Sequence, residues 1–444
     1  MTAFGSPAKT PWPVLAIATV LTGVASGLAG MLLSLLLHFI QHLAYDYSLG
    51  AVIGRESFLE GVTASSSLRR FVALSFCGLV AGIGWWAVYR LGRPLVSVGK
   101  AVSALGARMP ALGTTAHVLL QIITVAMGSP LGREVAPREM GALLAANLSR
   151  FLRITEDEQR ILIACGAGAG LAAAYNVPFG GAMFVLETLL GTFNLTAVIP
   201  AITTSVIAAY VARIGLGNQT QYVFPNLVMT PPLVIWAILT GPLFGFAAYR
   251  FAKAVSAARS HAPRDWRLPV SCFAIFVAIG TLAVPFPQIL GNGKGIAQLG
   301  FNGDMSIGLA ATLLVLRVSI TIGALRAGAW GGLLTPSVAA GALLATVIGG
   351  IWSLAWPGVA PGAFAIVGAA AFVATSMRMP MVAVILIIEF THVDPNFMIP
   401  ILFAVVGSIS IGELCSLKDR AAKQQAIEDR QLSIVSVPPP RSPN

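Results

Sequence analysis

The stretch Gly166–Thr188 reads GAGAGLAAAYNVPFGGAMFVLET, and the stretch Gly368–Phe390 reads GAAAFVATSMRMPMVAVILIIEF. At a constant offset of 202 residues, Gly166, Ala167, Ala169, Ala172, Pro178 and Glu187 recur as Gly368, Ala369, Ala371, Ala374, Pro380 and Glu389. Upstream, GALLA at 141–145 recurs at 341–345, and Gly128 and Gly132 recur as Gly328 and Gly332, all at an offset of 200. Alanine-rich segments resemble one another by chance, so a single match carries little. Two collinear matches that preserve glycine, proline and a glutamate in an apolar setting identify a tandem duplication. Duplicated membrane halves pack around a pseudo-two-fold axis, with a site at their interface.

The solvent around these halves follows from composition. Hydrophobic residues make up 56% of the 444 and charged residues 10%, with a mean hydropathy of +0.82. A soluble domain carries about 25% charged residues, and so few charges could not cover a chain of this length in water. A bilayer removes that need but requires every backbone group to be satisfied internally. The fold expected is therefore an all-α polytopic membrane protein, an inverted repeat with broken, tilted helices. The expected divisions are a cytoplasmic N-terminus (1–13), a first membrane repeat (14–250), a basic linker (251–268), a second repeat (269–415) and a polar, disordered tail (416–444).

The formal net charge is +11, which raises the possibility of a nucleic-acid partner, but no nucleic-acid motif accompanies it. The basic residues gather in short segments, among them Arg90, Arg93, Lys100 and then Arg250 to Arg267. This is the positive-inside pattern, and it predicts a multi-pass inner-membrane protein with both termini cytoplasmic. The apolar run Pro13–Leu43 is far longer than a signal-peptide core of roughly 7–15 residues, so it is expected to be a tilted anchor. The four cysteines are scattered without a CxxC spacing. His38 and His42 sit four apart without a carboxylate near in sequence, and packing accounts for them. Neither metal nor other cofactor is expected. No nucleophile–base pair or phosphate loop points to an enzyme.

Charge inside a bilayer is costly and marks function by default. Arg133 and Glu134 lie in GSPLGREVAPREMG (Gly128–Gly141), Arg326 precedes AGAWGGLLTPS, and Glu187 and Glu389 close the repeated segments. Gly132 provides freedom to enter a helix, and Pro137 is tolerated only in a first turn. The Gly132-Arg133-Glu134 step is thus read as the start of a helix. A buried helix N-terminus presents unpaired N–H groups and a partial positive charge, which attract an anion. A carboxylate there can occupy the anion's place and vacate it once protonated.

These residues carry a resemblance. GREVAPREMG is similar to the GREGP motif of the CLC family of chloride channels and chloride/proton antiporters. Gly332–Pro336 resembles that family's GxFxP anion-binding motif, Gly291–Gly295 its glycine-rich stretch, and Gly166–Thr188 its segment leading to an inner proton glutamate. Order and spacing agree from about residue 14 to 415. The resemblance implies transport of chloride or a similar small anion, exchanged for protons, by a homodimer with one path per subunit. It makes Glu134 the gating, proton-carrying glutamate, and it places Arg133, Val135, Leu333 and Leu334 around the anion.

The departures bear on mechanism. The family's serine loop corresponds here to Leu95–Lys100. One alignment puts Val96 at the serine position, and a one-residue shift puts Ser97 there, followed by Val98. Ser97 is preferred because a hydroxyl donates to an anion. Glu187 and Thr188 fall on the proton pathway, but Thr188 stands where the inner glutamate would be and cannot titrate. No tyrosine follows Tyr249, so the family's inner tyrosine is missing. A passive anion channel and a fluoride-exporting relative therefore remain as alternatives to proton-coupled chloride transport.

Overall fold

The computed structural model describes residues 10–46, 57–104, 107–218 and 220–435. Its helices are α1 (Trp12–Tyr45), α2 (Phe58–Ala64), α3 (Ser67–Leu91), α4 (Val98–Ser103), α5 (Ala111–Ala126), α6 (Val135–Phe151), α7 (Glu156–Tyr175), α8 (Pro178–Met183) and α9 (Leu195–Leu216). They continue as α10 (Pro231–Ser260), α11 (Arg267–Leu282), α12 (Lys294–Asn302), α13 (Ile307–Arg326), α14 (Leu334–Ala355), α15 (Pro361–Met377), α16 (Pro380–Thr391) and α17 (Met398–Val435). A π-helical segment, Phe184–Leu190, extends α8. Among the described residues, seven helices are long and apolar enough to cross a membrane.

The repeated segments seen in the sequence form the centre of the molecule. Every residue of α7 from Leu162 to Tyr175 is buried, and so is every residue of α15 from Gly362 to Thr375. Their alanines and glycines let neighbouring backbones approach closely, which drives helix association where lipid offers no hydrophobic contrast. A Cβ on Gly170 would lie 2.0 Å from the Pro137 carbonyl oxygen, and one on Gly141 would lie 2.0 Å from the Gly166 carbonyl oxygen. The helices around this centre turn large apolar residues outward, such as Ile199, Val206 and Ile214 on α9.

The packing mirrors itself between the halves. α1 packs on α9, α7 and α6, while α10 packs on α17, α15 and α14. That pattern pairs α10 with α1 and puts the division between the repeats in the 217–230 connection, not in the basic stretch 251–268 expected from charge. Much of that stretch is helix: α10 runs to Ser260, and α11 begins at Arg267. FAKAVSAARS contains no residue that breaks a helix, and its charges mark the membrane face rather than a boundary. The tail also differs from expectation. It continues α17 as a helix to Val435, because no glycine or proline interrupts SLKDRAAKQQAIEDRQLSIV. The remainder, and most of the segment 1–13, lie outside the described residues.

Local two-fold symmetry is written into the turns. Gly128 (φ +103°) and Gly328 (φ +104°) take the same left-handed conformation, which favours glycine because it has no Cβ. Each lets the chain reverse after α5 or α13 and re-enter as α6 or α14. Asn176 and Arg378, 202 apart, take matching left-handed conformations at the ends of α7 and α15.

Candidate functional site

The two re-entrant turns meet face to face. Gly132 and Gly332 exchange both backbone hydrogen bonds, N–H to carbonyl oxygen at 2.8 Å each way. Residues 200 apart in sequence thus pair across the pseudo-axis. α6 starts just after this bridge at Val135, with Glu134 as its N-terminal cap, and α14 starts at Leu334, with Leu333 as its cap.

The Glu134 side chain lies in that junction and is fully buried. Its Oε1 accepts the Leu334 backbone N–H at 2.7 Å, the first amide of α14. Its Oε2 accepts the Tyr175 hydroxyl at 3.3 Å. A Cβ on Gly332 would lie 1.9 Å from Oε1, and one on Gly132 would lie 2.1 Å from Oε2. Both glycines are therefore required for the carboxylate to sit there. Arg133 is buried beside it. Its guanidinium lies 5.0 Å from the Tyr175 ring centroid and donates to the Ala174 carbonyl at 3.3 Å. Val135 is half-buried in the first turn of α6, and Leu333 and Leu334 bring the opposing turn. The structure thus gathers Arg133, Glu134, Val135, Leu333 and Leu334 at one junction.

Glu187 and Thr188 lie elsewhere, in the π-helical segment. Glu187 accepts the backbone N–H groups of Met381 (3.0 Å) and Val382 (2.7 Å) in the first turn of α16. Glu389 does the same for α8, accepting from Phe179 (3.0 Å) and Gly180 (2.6 Å). The amides of these two helix starts are thus satisfied across the repeats, whereas α6 and α14 converge on Glu134. Thr188 is exposed. Ser97 is the exposed N-cap of α4, where its Oγ accepts the Lys100 N–H at 3.3 Å, and Val98 begins the helix. α4 packs against α7, and no described hydrogen bond joins it to the Glu134 junction.

Several supporting residues escape a reading of the sequence. Arg317 is buried inside α13 and donates to the carbonyls of Ile289 (3.2 Å), Gly291 (2.7 Å) and Pro130 (3.0 Å). It ties the turn before Glu134 to the glycine-rich stretch Gly291–Gly295. Arg259, placed by charge in the linker, donates to the Gly331 carbonyl at 3.0 Å and lies 5.1 Å from the centroid of the Trp330 ring. His117 is 2.8 Å from Glu139 on the other side of α6. The only signal for Arg317 in the sequence is a single arginine in an otherwise apolar run.

A cavity of about 460 Å³ opens beside the junction, lined by Arg133, Lys294, Asn292, His38, Gln41 and His42. It lies towards the C-terminal end of α1. A larger cleft of about 1280 Å³, lined by Arg90, Arg264, Arg267, Arg326 and Trp266, holds the basic connection after α10.

Broken helices whose N-termini meet at a buried carboxylate, on the axis of a duplicated helical scaffold, define a polytopic membrane protein of the transporter and channel class. The voltage-gated chloride channel family profile matches residues 77–413, and the chain belongs to that family. It is 27% identical over 466 residues to an H+/Cl− exchange transporter, ClcA, of Vibrio cholerae serotype O1 (strain M66-2), covering 99% of this chain and 95% of that protein. A relative of the same description from Cronobacter sakazakii is 27% identical over 434 residues, covering 91% and 87%. Among solved structures, a slow cyanobacterial Cl−/H+ antiporter superposes with a TM-score of 0.78 at 20% identity, covering 94% of this chain and all of that one. A CLC-type fluoride/proton antiporter superposes at 0.65 with 18% identity, covering 93% and 97%.

Proposed function

We propose that the protein moves chloride across the membrane in exchange for protons, with Glu134 as the gate. The observation that carries this reading is the 2.7 Å bond from the Leu334 N–H to Glu134 Oε1. A carboxylate there stands where the opposing helix start would hold an anion. Protonation removes the charge that holds it, so the side chain leaves and chloride takes the amide. Glu134 takes its proton from one side of the membrane and releases it to the other, and the deprotonated carboxylate then returns and expels the anion. Arg133 and Lys294 line the cavity beside the junction and attract anions towards it. The charge pattern of the connections orients this cavity outward and both termini inward. The family resemblance adds a homodimer with one path per subunit. The outward apolar residues of α9 and α17, such as Ile199, Val206, Leu402 and Val406, are available to the second copy.

A second reading is passive chloride flux, favoured by Thr188, which holds no titratable group at the inner end of the proton route. Purified protein in chloride-loaded liposomes separates the two readings. Chloride efflux is expected once a potassium shunt is added, together with proton movement against a gradient. Efflux without proton movement would leave the passive reading standing. Absence of any anion efflux would remove both.

A further inference from the structure

Tyr175 closes the last turn of α7 with its hydroxyl turned into the Glu134 junction. The hydroxyl donates to Glu134 Oε2 at 3.3 Å, and its oxygen lies 3.1 Å from Thr335 Oγ1. Tyr175 is 4% exposed and Thr335 3%. Since the Tyr175 proton is directed at the carboxylate, its oxygen is left to accept from Thr335. The Thr335 hydroxyl therefore fixes the direction of the tyrosine proton.

The duplication shows that the scaffold does not need this pair. At the repeat offset of 202, Tyr175 corresponds to Met377, and at the offset of 200, Thr335 corresponds to Val135 and Glu134 to Leu334. The symmetry-related positions, where the matching turns and helix ends recur, carry apolar side chains in all three cases. The hydroxyls are thus confined to the side of the axis that receives the carboxylate. A buried hydroxyl is costly unless it is paired, and phenylalanine would fill the same volume without that cost.

The second observation is what the hydroxyl points at. Oε2 is one of two carboxylate oxygens in the place a transported anion would take, and the Leu334 amide holds the other. An anion that replaces the carboxylate inherits both donors. No tyrosine follows Tyr249, and it is the Tyr175 hydroxyl that reaches this place. We propose that Tyr175 is an anion-coordinating residue, oriented by Thr335, whose hydroxyl holds Glu134 in the shut state and the anion once Glu134 has left. The proposal rests on the reading of Glu134 as the occupant of the anion's place.

The test uses chloride binding by equilibrium titration on the purified full chain, alongside liposome flux. Glu134→Ala frees the place for the anion. Tyr175→Phe added to it keeps the ring over Arg133 and removes only the hydroxyl. Chloride affinity and the half-saturating chloride for flux are expected to weaken about tenfold, as for one lost hydrogen bond to a charged acceptor. Thr335→Val on the same background should shift both in the same direction by less, and Thr335→Ser should restore them. Unchanged affinity in the Glu134→Ala, Tyr175→Phe protein, with an unaltered size-exclusion profile, would overturn the assignment. If Glu134→Ala binds chloride in a Tyr175-dependent way but passes none, the gate reading fails and Tyr175 stands. Should Tyr175→Phe disturb folding, the Thr335→Val and Thr335→Ser pair decides, with equal affinities counting against the proposal.

Discussion

Glu187 and Glu389 cap each other's helices: the carboxylate of Glu187 accepts two amides at the start of α16, and that of Glu389 accepts two at the start of α8. The exchange follows the 202 offset residue for residue, since Phe179 and Gly180 correspond to Met381 and Val382. Each carboxylate compensates the orphan N–H groups and the positive end of a helix dipole. It follows that Glu187→Ala and Glu389→Ala lower stability by similar amounts, about 1–2 kcal/mol each. Thermal unfolding in detergent reads this. Glu187→Gln, which keeps an acceptor, should lose less and should retain proton-coupled flux. A variant of wild-type stability without proton movement would instead place Glu187 on the proton route.

Glu134→Ala removes the side chain that competes with the anion. Anion flux is expected to be retained or raised, and its dependence on pH to disappear. In the wild type the sign is set by protonation: acid neutralises the carboxylate and frees the anion's place, so flux rises as pH falls. Flux measured in liposomes across a pH series checks both statements. A pH dependence that survives in Glu134→Ala would assign the gate to another group.

Much of this arrangement was legible in the residues, and the limits have physical causes. The start of α6 followed from Gly132 and Pro137, because both act within a turn of their own position. The two central helices followed from the repeat itself. The mutual caps did not, since they join residues about 200 apart in sequence. Tyr175 was hidden in an alanine-rich run, where an aromatic residue reads as core. The boundary between the repeats was obscured because charge marks a membrane face and says nothing of which helices pack together.

Arg317 satisfies three carbonyls in the interior, and two of them belong to different repeats. Arg317→Met should leave Ile289, Gly291 and Pro130 without this donor. Each buried unsatisfied group costs about 1–3 kcal/mol, so a marked fall in thermal stability is expected. Lysine cannot reproduce the planar fork that spans these carbonyls, and Arg317→Lys should recover only part of the loss. Full recovery would show that charge alone suffices there.

Ser97 uses its oxygen as the acceptor that caps α4, which leaves its hydroxyl proton free to donate. The cap and the donor can be separated. Glycine caps nearly as well as serine, within a few tenths of a kcal/mol, but offers no hydroxyl. Ser97→Gly should therefore alter anion selectivity while the protein stays as stable as the wild type. If Val96 substitutions change selectivity and Ser97→Gly does not, the register of this loop is the one that aligns Val96.

Gly332 provides the sharpest test of what the junction holds. Its missing Cβ would stand 1.9 Å from Glu134 Oε1, inside the volume the anion would take. Gly332→Ala therefore does more than disturb the gate, because a methyl group fills the place itself. Chloride flux is expected to fall at every pH, and adding Glu134→Ala should not restore it. Two explanations are separated by that double variant. If the methyl merely displaced the carboxylate, Gly332→Ala with Glu134→Ala would pass chloride as freely as Glu134→Ala alone, and the anion's place would have to lie away from the Gly132–Gly332 bridge.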